Sequence, residues 1–239
     1  MSKVYTLQQI KVELEKIKRK GFISIPHGMH RNDDGIVGQL LEKEFKITEN
    51  NLSVSDLGTF ELKGIRKRSS TLTLCHKTTS SGLTPIEIFN RFGYERESRR
   101  QKGVMKKKLF TTVKGTRQNN LGFRLKGIDN HNLGMYFHEE YICTWNLIKS
   151  LKKIKMIILA EAETQGTANS TDEKFHYVRA FLLENLKPLP ILVENGIVVI
   201  DFCIDQVIGS GQRPHDRGPH IRVPKSKLIH AYQEMIPIL

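Results

Sequence analysis

The run Met156-Ile157-Ile158-Leu159-Ala160 constrains the fold more than any other stretch of this chain. It is short, continuous and apolar, the pattern of a buried strand, and far below the ~18 apolar residues of a membrane span. Ile197–Ile204 reads as a second core strand. Elsewhere the period changes. Leu7, Ile10, Leu14 and Ile17 recur at spacings of three and four, which predicts a helix over 6–20, capped by Thr6 and ended by Gly21. Further helices are predicted over about Gly35–Phe45, Pro85–Phe92, Lys174–Leu186 and Ser226–Ile236. Alternation predicts strands over Thr59–Lys63 and Thr71–His76, and Leu109–Val113, Gly122–Leu125 and Leu133–Phe137 read as others. Helices mixed with strands, without regular βαβ alternation, argue for an α/β or α+β sandwich. No repeat, low-complexity tract or linker interrupts the 239 residues, so a single domain over 1–239 is expected.

Charge narrows the partner. Lys and Arg number 38 against 25 Asp and Glu, a formal net charge of +13. With a pI near 9.7, a polyanion such as nucleic acid is the expected partner. Cys75, Cys143 and Cys203 are far apart and odd in number. No CxxC pair exists, so neither a zinc knuckle nor a disulfide framework is encoded, and reduced thiols in a cytoplasmic protein are expected. The N-terminal stretch MSKVYTLQQIKVELEKIKRK has no uninterrupted apolar run and is read as free of a signal peptide.

The stretch Ser55-Asp56-Leu57-Gly58-Thr59-Phe60-Glu61-Leu62-Lys63 carries the chemistry. Cleaving a phosphodiester with a metal needs hard oxygen ligands, a metal-bound water and a nearby cation. Glu61 and Lys63 lie two apart on a predicted strand, so their side chains leave one face. Asp56 can reach that face across a turn that Gly58 permits. Two carboxylates at one site repel, which favours a cation between them. Alone, an E-x-K on a strand is more often an exposed salt-bridged pair. Glu42, on the helix just upstream, adds a carboxylate that could orient the lysine or a water; otherwise it is a helix-surface glutamate paired with a lysine. Glu161 and Glu163, after the apolar strand, read as structural. Arg99, Arg100, Lys106, Lys107 and Lys108 form a charge run that charge alone makes a solvated face. Near DNA these residues would hold phosphate without reading sequence. Arg31–Asp34 could also touch a duplex.

Asp56, Glu61 and Lys63, with the helix Val37-Gly38-Gln39-Leu40-Leu41-Glu42 upstream, resemble the PD-(D/E)xK nuclease motif, although Ser55 stands where the motif has proline. The blocks RNDDGIVGQLLE, ENNLSVSDLGTFELKG, LTLCHK, IFNRFGY, VMKKKLFTT and PHDRGPHIRVP, in this order, resemble the BcnI-type restriction endonucleases, which group with MvaI and the repair enzyme MutH. The resemblance implies an α/β restriction-endonuclease-like fold: a central mixed β-sheet flanked by helices, with catalytic and recognition lobes around a DNA cleft. Catalytic elements would fall at about 30–115, and recognition elements would include about 210–225.

It also implies a bacterial, cytoplasmic type II enzyme, active as a monomer on double-stranded DNA. Such an enzyme needs Mg²⁺; Mn²⁺ or Ca²⁺ could occupy the site, with Ca²⁺ not supporting cleavage. BcnI-like enzymes cut CCSGG between the second C and the central base, nicking one strand and then the other, while close relatives read CCWGG or other sites. Carried over by position, Asp56 and Glu61 are metal ligands, Lys63 is the cation beside the nucleophile and Glu42 is the helix carboxylate. His76 and His220 face the central base pair. His215, Asp216 and Arg217 form a major-groove loop, and Arg222, in the same block, is a further DNA-binding residue. Arg can pair with guanine O6 and N7, and Asp can accept from cytosine N4. An imidazole donates or accepts, so two of them suit either G·C or C·G. A DNA methyltransferase would be the genetic partner. Two other readings are a partner-dependent repair nickase of the MutH type and a basic DNA-binding protein whose E-x-K is accidental.

Overall fold

The computed structural model describes residues 4–29, 33–47, 55–99 and 101–239. In chain order the elements begin with α1 (Leu7–Arg19), β1 (Ile23–Ser24), α2 (Ile36–Glu44), β2 (Glu61–Arg66), β3 (Thr71–His76) and β4 (Ser81–Gly82). Next come α3 (Pro85–Phe92), β5 (Tyr94–Glu97), β6 (Met105–Val113), β7 (Phe123–Gly127), β8 (Asn132–Phe137), β9 (Glu140–Asn146) and α4 (Ile148–Lys153). The chain ends with β10 (Met156–Gln165), β11 (Lys174–Leu186), α5 (Leu189–Glu194), β12 (Val199–Val207), β13 (His215–Asp216), β14 (His220–Pro224), α6 (Leu228–Ala231) and β15 (Tyr232–Pro237). The residues fall into two compact units, each assembled from separated segments: 1–72, 149–186 and 228–239 in one, 73–148 and 187–227 in the other.

In the first unit, β1, β11, β10 and β2 form a sheet in that order, with β15 on β11. The run at 156–160 is the start of β10, which pairs parallel with β2 and antiparallel with β11. Ile157, Ile158, Leu159 and Ala160 are all fully buried, as strand-like runs covered on both faces must be. Helix α1 starts at a reciprocal capping box between Thr6 and Gln9 and buries Ile10, Leu14 and Ile17. Its apolar face joins Leu40, Leu41, Leu62, Phe175 and Tyr177 in one core. Helix α2 lies hard against β2: a Cβ at Gly64 would stand 2.8 Å from the Val37 carbonyl oxygen, so only glycine permits the approach. The Tyr177 hydroxyl donates to that same carbonyl at 2.6 Å and ties α2 to β11.

One expected helix is a strand, and another is helical only in part. Residues 174–186 form the 13-residue β11, not a helix. Its register against β10 shifts where Glu161 faces Arg179 and Ala162 faces Tyr177, leaving Val178 as an extra residue. This bulge breaks the period of two, so buried Phe175, Tyr177, Ala180 and Leu182 fall at spacings of two, three and two, and the alternation that marks a strand is interrupted. Of 226–236, only Leu228–Ala231 is α-helical, after a 3₁₀ turn over Lys225–Lys227. Tyr232–Pro237 instead pairs along β11, with Leu182 facing Ile236, because the free edge of a long strand offers its backbone groups a ladder.

In the second unit, β3, β14, β12, β6 and β5 form one sheet in that order, with β13 on β12, and β4, β9, β8 and β7 form another. Trp145 and Phe202 meet inside it with ring centroids 6.1 Å apart. The strand β9 and the helix α4 had no counterpart among the sequence expectations.

Candidate active site

A tight turn sets Asp56. Gly58 has φ of +85°, a conformation glycine adopts without a Cβ penalty. Leu57 is fully buried, and its N–H donates to the Phe60 carbonyl at 3.0 Å. The loop thus folds back on the start of β2, where the Leu62 N–H donates to Asp56 Oδ2 at 3.2 Å. Glu61 and Lys63 alternate on β2 opposite Ile157 and Leu159 of β10. Glu61 is only 4% exposed, and its Oε1 lies 3.3 Å from Lys63 Nζ. The three motif residues therefore meet at the head of a parallel strand pair.

Lys153, at the end of α4, also reaches this cluster. Its Nζ is 3.3 Å from Glu61 Oε2 and 3.7 Å from Asp56 Oδ1. No signal marks it among Lys149, Lys152, Lys153 and Lys155, and only the β10–β2 pairing brings it here. Burial pushes the Glu61 carboxyl up and the Asp56 charge adds to this; Lys63 and Lys153 oppose it, and the balance lies above the ordinary carboxylate value. Burial would lower the Lys153 ammonium, but the charges of Glu61, Asp56 and Glu42 outweigh it and raise the pKa. Glu42 is half-buried on α2, and Lys153 feels its charge. Glu161 and Glu163 make ion pairs with Arg179 and Lys67, the structural role expected of them.

Two carboxylates suit a hard cation that keeps waters and shares a phosphate. The buried Glu61 Oε2 already meets a cation, the Lys153 ammonium at 3.3 Å. Among the described residues no three His, Cys, Asp or Glu side chains form a metal cage. The acidic set at this place is Asp56 and Glu61.

In the second unit, His76 and His220 stand edge to face, with centroids 4.3 Å apart. Arg222 donates from Nη2 to His220 Nδ1 at 3.2 Å, from Nη1 to Asp201 at 2.7 Å and from Nε to Thr73 at 3.1 Å. Burial, then His76 and Arg222, push the His220 imidazole down to about 4. At neutral pH it is uncharged, and the accepting Nδ1 places its proton on Nε2. His215 and Asp216 pair with β12 as β13, and the Arg217 N–H donates to the Cys203 carbonyl at 3.3 Å. His215, Asp216 and Arg217 are exposed.

The lysine run is less free than its charge suggests. Lys106 pairs with Asp205 at 3.3 Å, Lys107 donates to the Asn90 carbonyl at 2.8 Å and Lys108 to the Glu97 carbonyl at 3.2 Å. Arg31, Asn32 and Arg100 lie outside the described residues.

Two solved structures share this architecture. A complex of the restriction endonuclease MvaI with cognate DNA matches at a TM-score of 0.74 and 22% identity, covering 98% of each chain. MvaI in the absence of DNA matches at 0.51 and 22% identity, covering 100% of each chain. The fold is therefore that of the restriction endonucleases, as the sequence resemblance implied. The family profile described as the MvaI/BcnI restriction endonuclease family matches residues 11–232. The chain belongs to the MvaI/BcnI restriction endonuclease family and is a site-specific DNA endonuclease. No curated protein matches it. No helix among the described residues is long and apolar enough to cross a membrane.

Proposed function

We propose that the protein is a type II restriction endonuclease that hydrolyses double-stranded DNA with Mg²⁺ at CCSGG, between the second C and the central base. It acts as a monomer that nicks the two strands in turn. The convergence of Asp56, Glu61 and Lys63 at the head of β2 carries the reading. Asp56 and Glu61 would hold Mg²⁺, which supplies Lewis acidity and a bound water of lowered pKa. Lys63, beside Glu61 on the same strand, orients the attacking water and offsets the charge that develops on the phosphate. The buried Glu61 stays fixed by β2, so little reorganisation accompanies the reaction. Cognate DNA is the bound partner in the MvaI complex, and the +13 charge suits such a ligand.

The recognition residues support the target. Arg217 is exposed on a loop pinned to Cys203, and can meet guanine with paired donors. His76 and an uncharged His220, steadied by Arg222, face one another where one imidazole can donate and the other accept. An internally bonded Arg222 serves here by positioning His220.

Sequencing the ends of plasmid DNA cut by the purified protein tests this. Breaks at CC/SGG, with nicked circles preceding linear DNA, are expected. Ends at CCWGG, or at unrelated sequences, would remove the proposed target. Arg217→Ala should lose about 1–3 kcal/mol of discrimination at one base pair. Comparing cleavage of sites mutated one pair at a time measures it, and an unchanged preference would move recognition to another loop.

A further inference from the structure

Lys153 lies outside the D-x4-E-x-K motif, yet its ammonium faces both acidic members. Nζ stands 3.3 Å from Glu61 Oε2 and 3.7 Å from Asp56 Oδ1. The Ser55 hydroxyl donates to the Lys153 carbonyl at 3.3 Å, so the end of α4 is fastened to the loop that carries Asp56. Lys63 attends the other Glu61 oxygen, at 3.3 Å. Lys153 meets Oε2 as a close ion pair while its own side chain stays 28% exposed, so the ammonium keeps a way out to solvent. An ammonium held this way compensates two clustered carboxylates while remaining easy to displace.

A lysine on four methylenes can swing, whereas Asp56 and Glu61 are held by the Leu62 N–H and by burial. The slot that Lys153 fills lies between the same two carboxylates that a divalent cation would use, and two cations cannot share it. We propose that Lys153 is the resident counter-ion of the metal-free site and competes with the divalent cation for Asp56 and Glu61. This rests on those two residues being the metal ligands. The lysine thus keeps a buried acidic pair neutralised and weakens metal uptake until it moves aside.

Mn²⁺ binding to the full chain without DNA, followed by the electron paramagnetic resonance of free Mn²⁺, tests the competition. Lys153→Met should bind Mn²⁺ at least fivefold more tightly than the wild type, and Lys153→Arg should stay near the wild type. Glu61→Gln should lose this binding in either background. Equal or weaker binding by Lys153→Met, with the Glu61 dependence intact, overturns the role of Lys153 and leaves the ligands standing. Binding that ignores Glu61→Gln overturns both. A second measurement needs no variant: acetylation of Lys153 in the wild type, read by mass spectrometry, should rise severalfold when Mn²⁺ is added. Labelling unchanged at saturating Mn²⁺ overturns the proposal as well.

Discussion

Asp56→Ala will lower cleavage by about 10³-fold or more while leaving specific duplex binding in place. Metal-assisted stabilisation of the developing phosphate charge amounts to several kcal/mol, and each ~1.4 kcal/mol is a factor of ten in rate. Asp56 supplies one of two carboxylates at the site and is fixed by the Leu62 N–H, so its loss halves the acidic pair. The loop and the histidine pair proposed to read the DNA belong to a separate compact unit, so binding is expected to survive loss of the carboxylate. Single-turnover cleavage beside gel-shift titration without added metal separates the two effects. Full cutting by Asp56→Ala would dismantle the metal-site argument; lost binding together with lost cutting would show that the side chain supports the fold instead.

Arg66→Ala will destabilise the protein by about 3–5 kcal/mol, because it strips the partner from a buried charge. Arg66 is only 4% exposed, and its fork donates to both oxygens of the fully buried Glu173, at 2.8 and 2.6 Å. The same guanidinium bonds Asn169 at 2.8 Å and Asp34 at 2.6 Å, just before α2. It therefore fastens the β10–β11 turn and the start of the helix that carries Glu42. Burial pushes the Glu173 carboxyl up, but the Arg66 hydrogen bonds, the Asn169 N–H and the Arg66 charge more than reverse this and hold it below the usual range. A depressed folded pKa means that the stabilisation is present above the unfolded value of about 4.3 and lost as pH falls through the folded one. The gap between wild type and variant, measured by urea unfolding, should shrink in acid below about pH 4. Arg66→Met combined with Glu173→Leu should recover most of the loss. A single variant within about 1 kcal/mol of the wild type would mean that the pair contributes little.

The D-x4-E-x-K motif was legible because its logic is local. Asp56, Glu61 and Lys63 sit within eight residues, and the alternation of a strand already places two of them on one face. The helices α1 and α3 were legible for the same reason, each carrying a capping box and an amphipathic period. Where the reading failed, the cause was non-local. The bulge in β11 is set by its partner β10, and it interrupts the alternation that would mark a strand. The strand β15 exists because β11 has a free edge. Basic residues at 106–108 read as a solvated face, whereas their ammonium groups are engaged by Asp205 and by two backbone carbonyls from elsewhere in the unit.

Composition and spacing alone determined a basic α/β chain with an acidic pair and a lysine at the head of a strand, since charge count and side-chain periodicity need no partner. Only the tertiary structure decided that Lys153 completes that cluster and that Arg222 is bonded inward to Thr73 and His220. The contacts of Lys153 with Glu61 and of Arg222 with Thr73 join residues about 90 and 150 positions apart, brought together by strand pairing whose register depends on the whole sheet.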